Sequence, residues 1–216
     1  MPDERMAKVS RRAVARAAYV AAGANLAAAA ALVLALQPGL PLPGNDLPAR
    51  QAYVAEHTIV WWAGWLLWHA AAIALLGFYV GLAAHWGQRA PIRCGLALLC
   101  AAAGMAVDLG AQTLYMGVLP RLGPDAFTVV EDAAGVLTGY LGNGLYTVAG
   151  LLLTWAGLGE LPRYLVALGL VVWAAGLGLS AASLGHSASG QFLSTAVLMP
   201  TLVLWLVLVG RGLERG

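Results

Sequence analysis

Charge is scarce along this chain. Acidic and basic side chains make up 10% of its 216 residues, against about 25% in soluble proteins, while hydrophobic residues reach 61%. That balance excludes an ordinary soluble domain. Lysine is rarer still: Lys8 is the one lysine, in the N-terminal tail, so no retinal Schiff base can form inside an apolar segment. The two cysteines, Cys94 and Cys100, lie six positions apart, which on a helix turns them about 120° away from each other. They form no intrahelical disulfide and read as small packing residues. Absent too are a serine-hydrolase elbow, a phosphate loop, a dinucleotide-binding loop, a DxxD-type diphosphate site, Ser/Gly linkers and internal repeats.

What the chain has is long apolar runs. Six stretches, 17–36, 59–84, 94–118, 133–157, 164–184 and 192–209, are each long enough to cross a hydrocarbon core, which takes about 20 helical residues. The alternating segments of about ten residues that build membrane β-barrels are missing. The sequence therefore predicts an all-α, polytopic membrane bundle of six helices in a single domain. The first apolar run exceeds the 7–15 residues of a signal-peptide core, so six spans are expected; cleavage after it would leave five helices with the same orientation.

Basic residues set the expected orientation. Arg5, Lys8, Arg11, Arg12 and Arg16 precede the first span, Arg89, Arg93 and Arg163 fall in two short connections, and Arg211 and Arg215 follow the last. Only Arg50 and Arg121 fall on the other side. By the positive-inside rule both termini are expected to be cytoplasmic, in a cytoplasmic (inner) membrane. The formal charge of +2 reflects topology and implies no nucleic-acid partner. Two longer connections face outward. Residues 37–58 contain PGLPLPGND, which predicts a loop over the bundle mouth, and residues 119–132 open with LPRLGPD.

Aspartate 108 stands near the middle of the third span. A carboxylate at the bilayer centre costs about 2.5–3.5 kcal/mol on insertion scales, so such residues face a bundle interior or a watery cavity. His69, Asn25, Asn143 and Thr201 stand at similar depths in four other spans. Asp108, Gln112 and Tyr115 form one polar helical stripe, and Tyr140, Asn143, Tyr146 and Thr147 another. The expected site is a midplane polar cavity built from Asp108, His69, Asn143, Gln112, Tyr115, Asn25 and Tyr146, with Asp108 and His69 as an ionisable pair. Pro200 frees a carbonyl in the last span. Trp61 and Trp62 fit an interfacial belt, whereas Trp65 and Trp68 lie deeper. Gly135 with Gly139, and Gly176, Gly178 and Ala182, provide small-residue spacings for helix packing.

Glu56, His57, Asp125, Glu131, Asp132 and His186 gather toward the outer ends, but no HExxH or HxxxH spacing joins them. They read as solvated loop charge, not as a metal site. No second buried histidine offers haem ligation, and Met105 and Met116 lack copper-ligand spacing. No cofactor is implied.

Two stretches carry a family likeness: RRAVARAAYVAAG at 11–23 and LGELPRYLVALGLVVWAAGLG at 158–178. They resemble a bacterial membrane family catalogued as domain of unknown function 4386, over about residues 12–210. The resemblance implies a six- or seven-helix membrane protein with a basic start and a long first outer loop. It implies no reaction and no catalytic residue. The leading expectation is a lipid-embedded protein that binds or passes a proton or small ligand at Asp108. The alternatives are an intramembrane enzyme on a lipid-like substrate, with Asp108 and His69 as acid and base, and an accessory subunit whose polar residues only join helices. A missing nucleophile or metal triad counts against the enzyme.

Overall fold

The computed structural model describes residues 11–42 and 44–215; Arg5 and Lys8 of the basic tail lie outside the described residues. The described residues form seven helices: α1 (Arg11–Gly39), α2 (Leu47–Glu56), α3 (Thr58–Trp86), α4 (Pro91–Arg121), α5 (Pro124–Ala156), α6 (Arg163–Leu184) and α7 (Ala188–Arg215). All but α2 are long and apolar enough to cross a membrane, one for each expected span. The protein is a helical membrane bundle with six candidate spans.

Two connections differ from expectation. The run 37–58 is not all loop. Asp46 accepts a hydrogen bond from the Ala49 N–H at 2.8 Å, and Pro48 follows in the first turn, so α2 starts with a side-chain cap. The stretch 119–132 is almost all helix. Pro120 does end α4, in a short 3-10 turn, but Pro124 starts α5 at once with Asp125 in its first turn. Glu131 and Asp132 are therefore helical, not loop residues.

The spanning helices pack in chain order. α1 lies against α3 and α7, and α3 against α4, α4 against α5, α5 against α6 and α6 against α7, closing a ring. Short connections make ring neighbours antiparallel. The half of the ring nearest the termini is plugged by Phe78, Tyr79, Trp86, Leu153, Trp173 and Trp205. Trp173 and Trp205 meet edge to face at 5.3 Å, and Phe78 meets Trp205 likewise at 5.8 Å. Their indole N–H groups are matched: Trp173 donates to Thr154 Oγ1 at 2.9 Å and Trp205 to the Leu165 carbonyl at 3.0 Å. Gly150 leaves room for this cluster, since a Cβ there would collide with the Trp173 ring. At the opposite end, α2 covers a second cluster of Leu36, Val54, Trp61, Trp65, Tyr115 and Phe127.

A polar latch closes the terminus-bearing end. Glu160, between α5 and α6, accepts from Trp86 Nε1 at 2.8 Å, pairs with Arg89 and lies 3.4 Å from His85 Nε2. Partial burial pushes the Glu160 carboxyl up, but the hydrogen bonds from Trp86 and Arg89 and the charges of Arg89 and His85 outweigh it. The group sits below its usual value. A depressed carboxylate contributes stability that is present above its unfolded pKa and lost as pH falls through the folded one. Glu160→Gln is therefore expected to lower stability near pH 7 by about 1 kcal/mol or less, as for a partly exposed ion pair, and to flatten the acid limb. Thermal unfolding in detergent against pH reads this out; a variant superimposable on the parent at every pH would detach the latch from stability.

Candidate functional site

The site grows from the contact between α4 and α5. A Cβ on Gly104 would lie 3.0 Å from the Gly142 carbonyl oxygen, and one on Gly142 would lie 3.2 Å from Asp108 Cβ. Glycine at both positions lets the backbones touch where the aspartate leaves its helix. Asp108 is 7% exposed. Opposite it, residues Val136–Gly142 of α5 follow a π-helical path. Thr138 and Asn143 would diverge by about 140° on a regular α-helix; the wider i→i+5 turn brings both inward. Thr138 donates its hydroxyl hydrogen to Asp108 Oδ1.

Asp108 lines a cleft of about 490 Å³ enclosed by the ring, to which all six spanning helices contribute. The cleft occupies the half of the bundle away from the termini and stops at the aromatic plug, around Tyr79 and Leu202. Its walls are mostly apolar, with a few polar groups. That composition suits a small-molecule site.

Five of the seven expected residues line this cleft: Asn25, Asp108, Tyr115, Asn143 and Tyr146. Their side chains do different things. Asn25 bonds the Ala21 carbonyl of its own helix at 2.9 Å. Asn143 ties α5 to α6, donating to the Gly176 carbonyl at 2.7 Å and to Ser180 Oγ at 2.9 Å. Tyr115 stacks on Trp65 at 4.3 Å and donates to the Glu131 carbonyl at 3.4 Å. The Tyr146 hydroxyl is buried without a hydrogen-bond partner.

The other two residues are not in the cleft wall. Gln112, one turn from Asp108, is fully buried; it interacts with the carboxylate but stays outside hydrogen-bond geometry. His69 is half-buried, with Nδ1 3.2 Å from the Trp65 carbonyl oxygen. No ion pair or hydrogen bond joins it to Asp108 among the described residues. Tyr140 of the second stripe is 41% exposed, because the π-helical stretch turns it outward while Thr138 turns in.

The outer residues need correction on two points. Glu131 is not solvated loop charge: it is 3% exposed and paired with Arg50 of α2, itself 7% exposed. Asp132 beside it is exposed and lines the cleft mouth with His186. Nor is Trp61 a belt residue. It is fully buried and donates to the Tyr115 carbonyl at 2.7 Å, while exposed Trp62 donates to the Met116 carbonyl at 2.7 Å. These carbonyls lie where Pro120 removes a helix N–H, and the indoles take its place. Among the described residues no three His, Cys, Asp or Glu side chains converge as a metal site.

Thr138 and Ser180 were not singled out from the sequence, and Arg50 only for orientation. Thr138 had one usable signal, a hydroxyl in the same span and at nearly the same depth as Asn143; the register change hid it. No family model, curated protein or solved structure matches this chain.

The Thr138 hydroxyl bond to a buried carboxylate has a measurable expected weight. Thr138→Val keeps the volume and deletes the donor, at a cost of about 1–3 kcal/mol for a buried acceptor left unmatched. Thr138→Ser is expected to recover most of that loss. Equal unfolding midpoints in detergent for parent and Thr138→Val would show that the bond carries no weight.

Proposed function

We propose that this membrane protein binds a proton or small ligand in the intramembrane cleft, with Asp108 as the responsive group. One observation carries this reading: a buried, ionisable carboxylate forms part of the wall of a cleft enclosed by six helices. Ionisable groups at this depth are costly and mark binding or transfer sites. A side chain kept only to join helices would be expected at a dry contact, as Thr154 is, buried between α5 and α6 and bonded by Trp173. Closure at the plugged end favours binding from one side over an open pore.

The same proposal includes the membrane and the orientation. Arg11, Arg12, Arg16, Arg89, Arg93, Arg163, Arg211 and Arg215 lie at the end bearing the termini. Arg50 and Arg121 lie at the other, where Arg50 is tied to Glu131. This asymmetry supports both termini in the cytoplasm of a bacterial cell, with the cleft facing outward. The likeness to the family of domain of unknown function 4386 belongs to this reading. Reporter fusions at Gly216 and after Gly44 are expected to label opposite sides of the membrane, and labelling on one side would overturn the orientation.

Asp108→Asn tests the site itself, because asparagine keeps size and hydrogen bonding but not ionisation. The parent's thermal midpoint in detergent is expected to shift between about pH 5 and 8, and the Asp108 contribution to vanish in Asp108→Asn. His69→Gln, which removes the imidazole, is the control for the neighbouring charge. Identical profiles for all three proteins would remove the binding reading and leave a structural subunit in its place.

A further inference from the structure

The cleft is chemically lopsided. Asp108, Glu131 and Asp132 line it, whereas among the described residues no lysine or arginine does, and His186 is the one imidazole. Arg50 compensates Glu131. That leaves Asp108 at depth and Asp132 at the mouth, on adjacent helices, and among the described residues neither has a basic partner within ion-pair distance. A carboxylate inside a low-dielectric enclosure favours a cation in that enclosure.

The walls narrow the kind of cation. The cleft is too large and too apolar to replace the hydration shell of a small inorganic ion, which hard oxygen ligands would have to do. Its polar end is flanked by aromatic rings: Trp65 stacked on Tyr115, with Trp68 and Tyr146 beside them in the wall. Such faces attract organic cations electrostatically while accepting apolar surface. A separate observation also points to a ligand. Trp65 Nε1, Trp68 Nε1 and the Tyr146 hydroxyl are buried without hydrogen-bond partners, and Trp65 is 6% exposed. The indoles of Trp61, Trp62, Trp86 and Trp205, outside the cleft wall, and of Trp173 in it, all find acceptors within the protein. Among the buried tryptophans and tyrosines of the described residues, Trp65, Trp68 and Tyr146 alone lack a partner and all three line the cleft, whereas Arg50 Nε, Gln51 Nε2, His85 Nε2 and the Gln112 amide are without hydrogen bonds outside it.

We propose that the cleft takes a bulky organic cation, an ammonium- or phosphonium-type centre on an aryl or branched apolar body, with its charge held by Asp108 and its body against Trp65 and Trp68. This rests on the reading of the cleft as a binding site and adds the ligand's chemical class. Asp132 at the mouth attracts the cation, and Asp108 holds it at depth.

Three probes of similar shape and different charge test this on the detergent-purified full chain: tetraphenylphosphonium, triphenylphosphine oxide and tetraphenylborate. In equilibrium dialysis, with detergent blanks subtracted, the cation is expected to bind at least about tenfold more tightly than the neutral or anionic probe. Asp108→Asn is expected to remove that preference. Trp65→Leu should weaken the cation several-fold and the neutral probe less. Asp132→Asn, at an exposed position that leaves the fold alone, should lower cation affinity about two- to threefold without affecting the neutral probe. Equal binding of all three probes would overturn the cationic class while leaving the cleft a binding site. Absence of cation binding alongside an intact Asp108-dependent pH response would sink this inference alone. Unchanged cation affinity in both aspartate variants would likewise overturn it.

Discussion

The close contact of α4 with α5 is the constraint on which the site depends. In lipid, helices gain nothing by hiding apolar surface from one another, so backbone approach at small residues does the holding. Gly104 and Gly142 provide that approach, and Asp108 leaves α4 in the same contact. A larger residue at either glycine would push the helices apart and take Thr138 out of reach of the carboxylate. The π-helical stretch Val136–Gly142 is part of the same arrangement, since a regular helix could not turn both Thr138 and Asn143 inward. Packing and polar chemistry are thus one feature here.

A second constraint comes from backbone groups at depth. Proline ends or interrupts several helices, and each missing N–H leaves a carbonyl in a medium that offers no water. Trp61 and Trp62 deal with this at the end of α4 by donating to the Tyr115 and Met116 carbonyls. In α7 the Thr201 hydroxyl donates to the Val197 and Leu198 carbonyls beside Pro200, at 2.7 and 3.1 Å. The ladder bond from position 200 to Ala196 cannot form, and Ala196 lies in the cleft wall. Aromatic side chains thus act both as packing and as backbone partners, which accounts for Trp61 and Trp62 at the start of α3.

The ring's two halves differ in filling, and that difference creates the site. Trp86, Trp173 and Trp205 occupy the interior near the termini, whereas small residues such as Ala29, Gly135 and Gly139 line the other half. Gly139 lies against Ser183, so α5 and α6 stay close there even though the centre is open. A filled interior at one end, and small residues between the aromatic walls at the other, leave a cleft with a floor. The buried Arg50–Glu131 pair then holds α2 over the ends of the helices away from the termini. Removing one partner of such a pair strands a charge, so α2 is fastened to α5 rather than lying loosely over the mouth.

Hydropathy along the chain determined the six spans, and depth along each span determined which polar residues share a level. Both are one-dimensional properties, because a membrane imposes a single axis on every helix. Asp108 could therefore be recognised from its position alone. Direction around each helix axis was not legible where the helix is irregular: a 3.6-residue period points Tyr140 inward, and the π-helical stretch substitutes Thr138. The start of α2 was legible in Asp46 and Pro48 but masked by the prolines and glycines before them. The partner of Glu131 was not, since Arg50 lies far from it in sequence and only the fold of α2 over the ring brings them together. Whether a tryptophan faces lipid, a carbonyl or the cleft was likewise decided by tertiary packing. Trp61, Trp62 and Trp65 share one helix and similar chemistry, and only the neighbouring helices tell them apart.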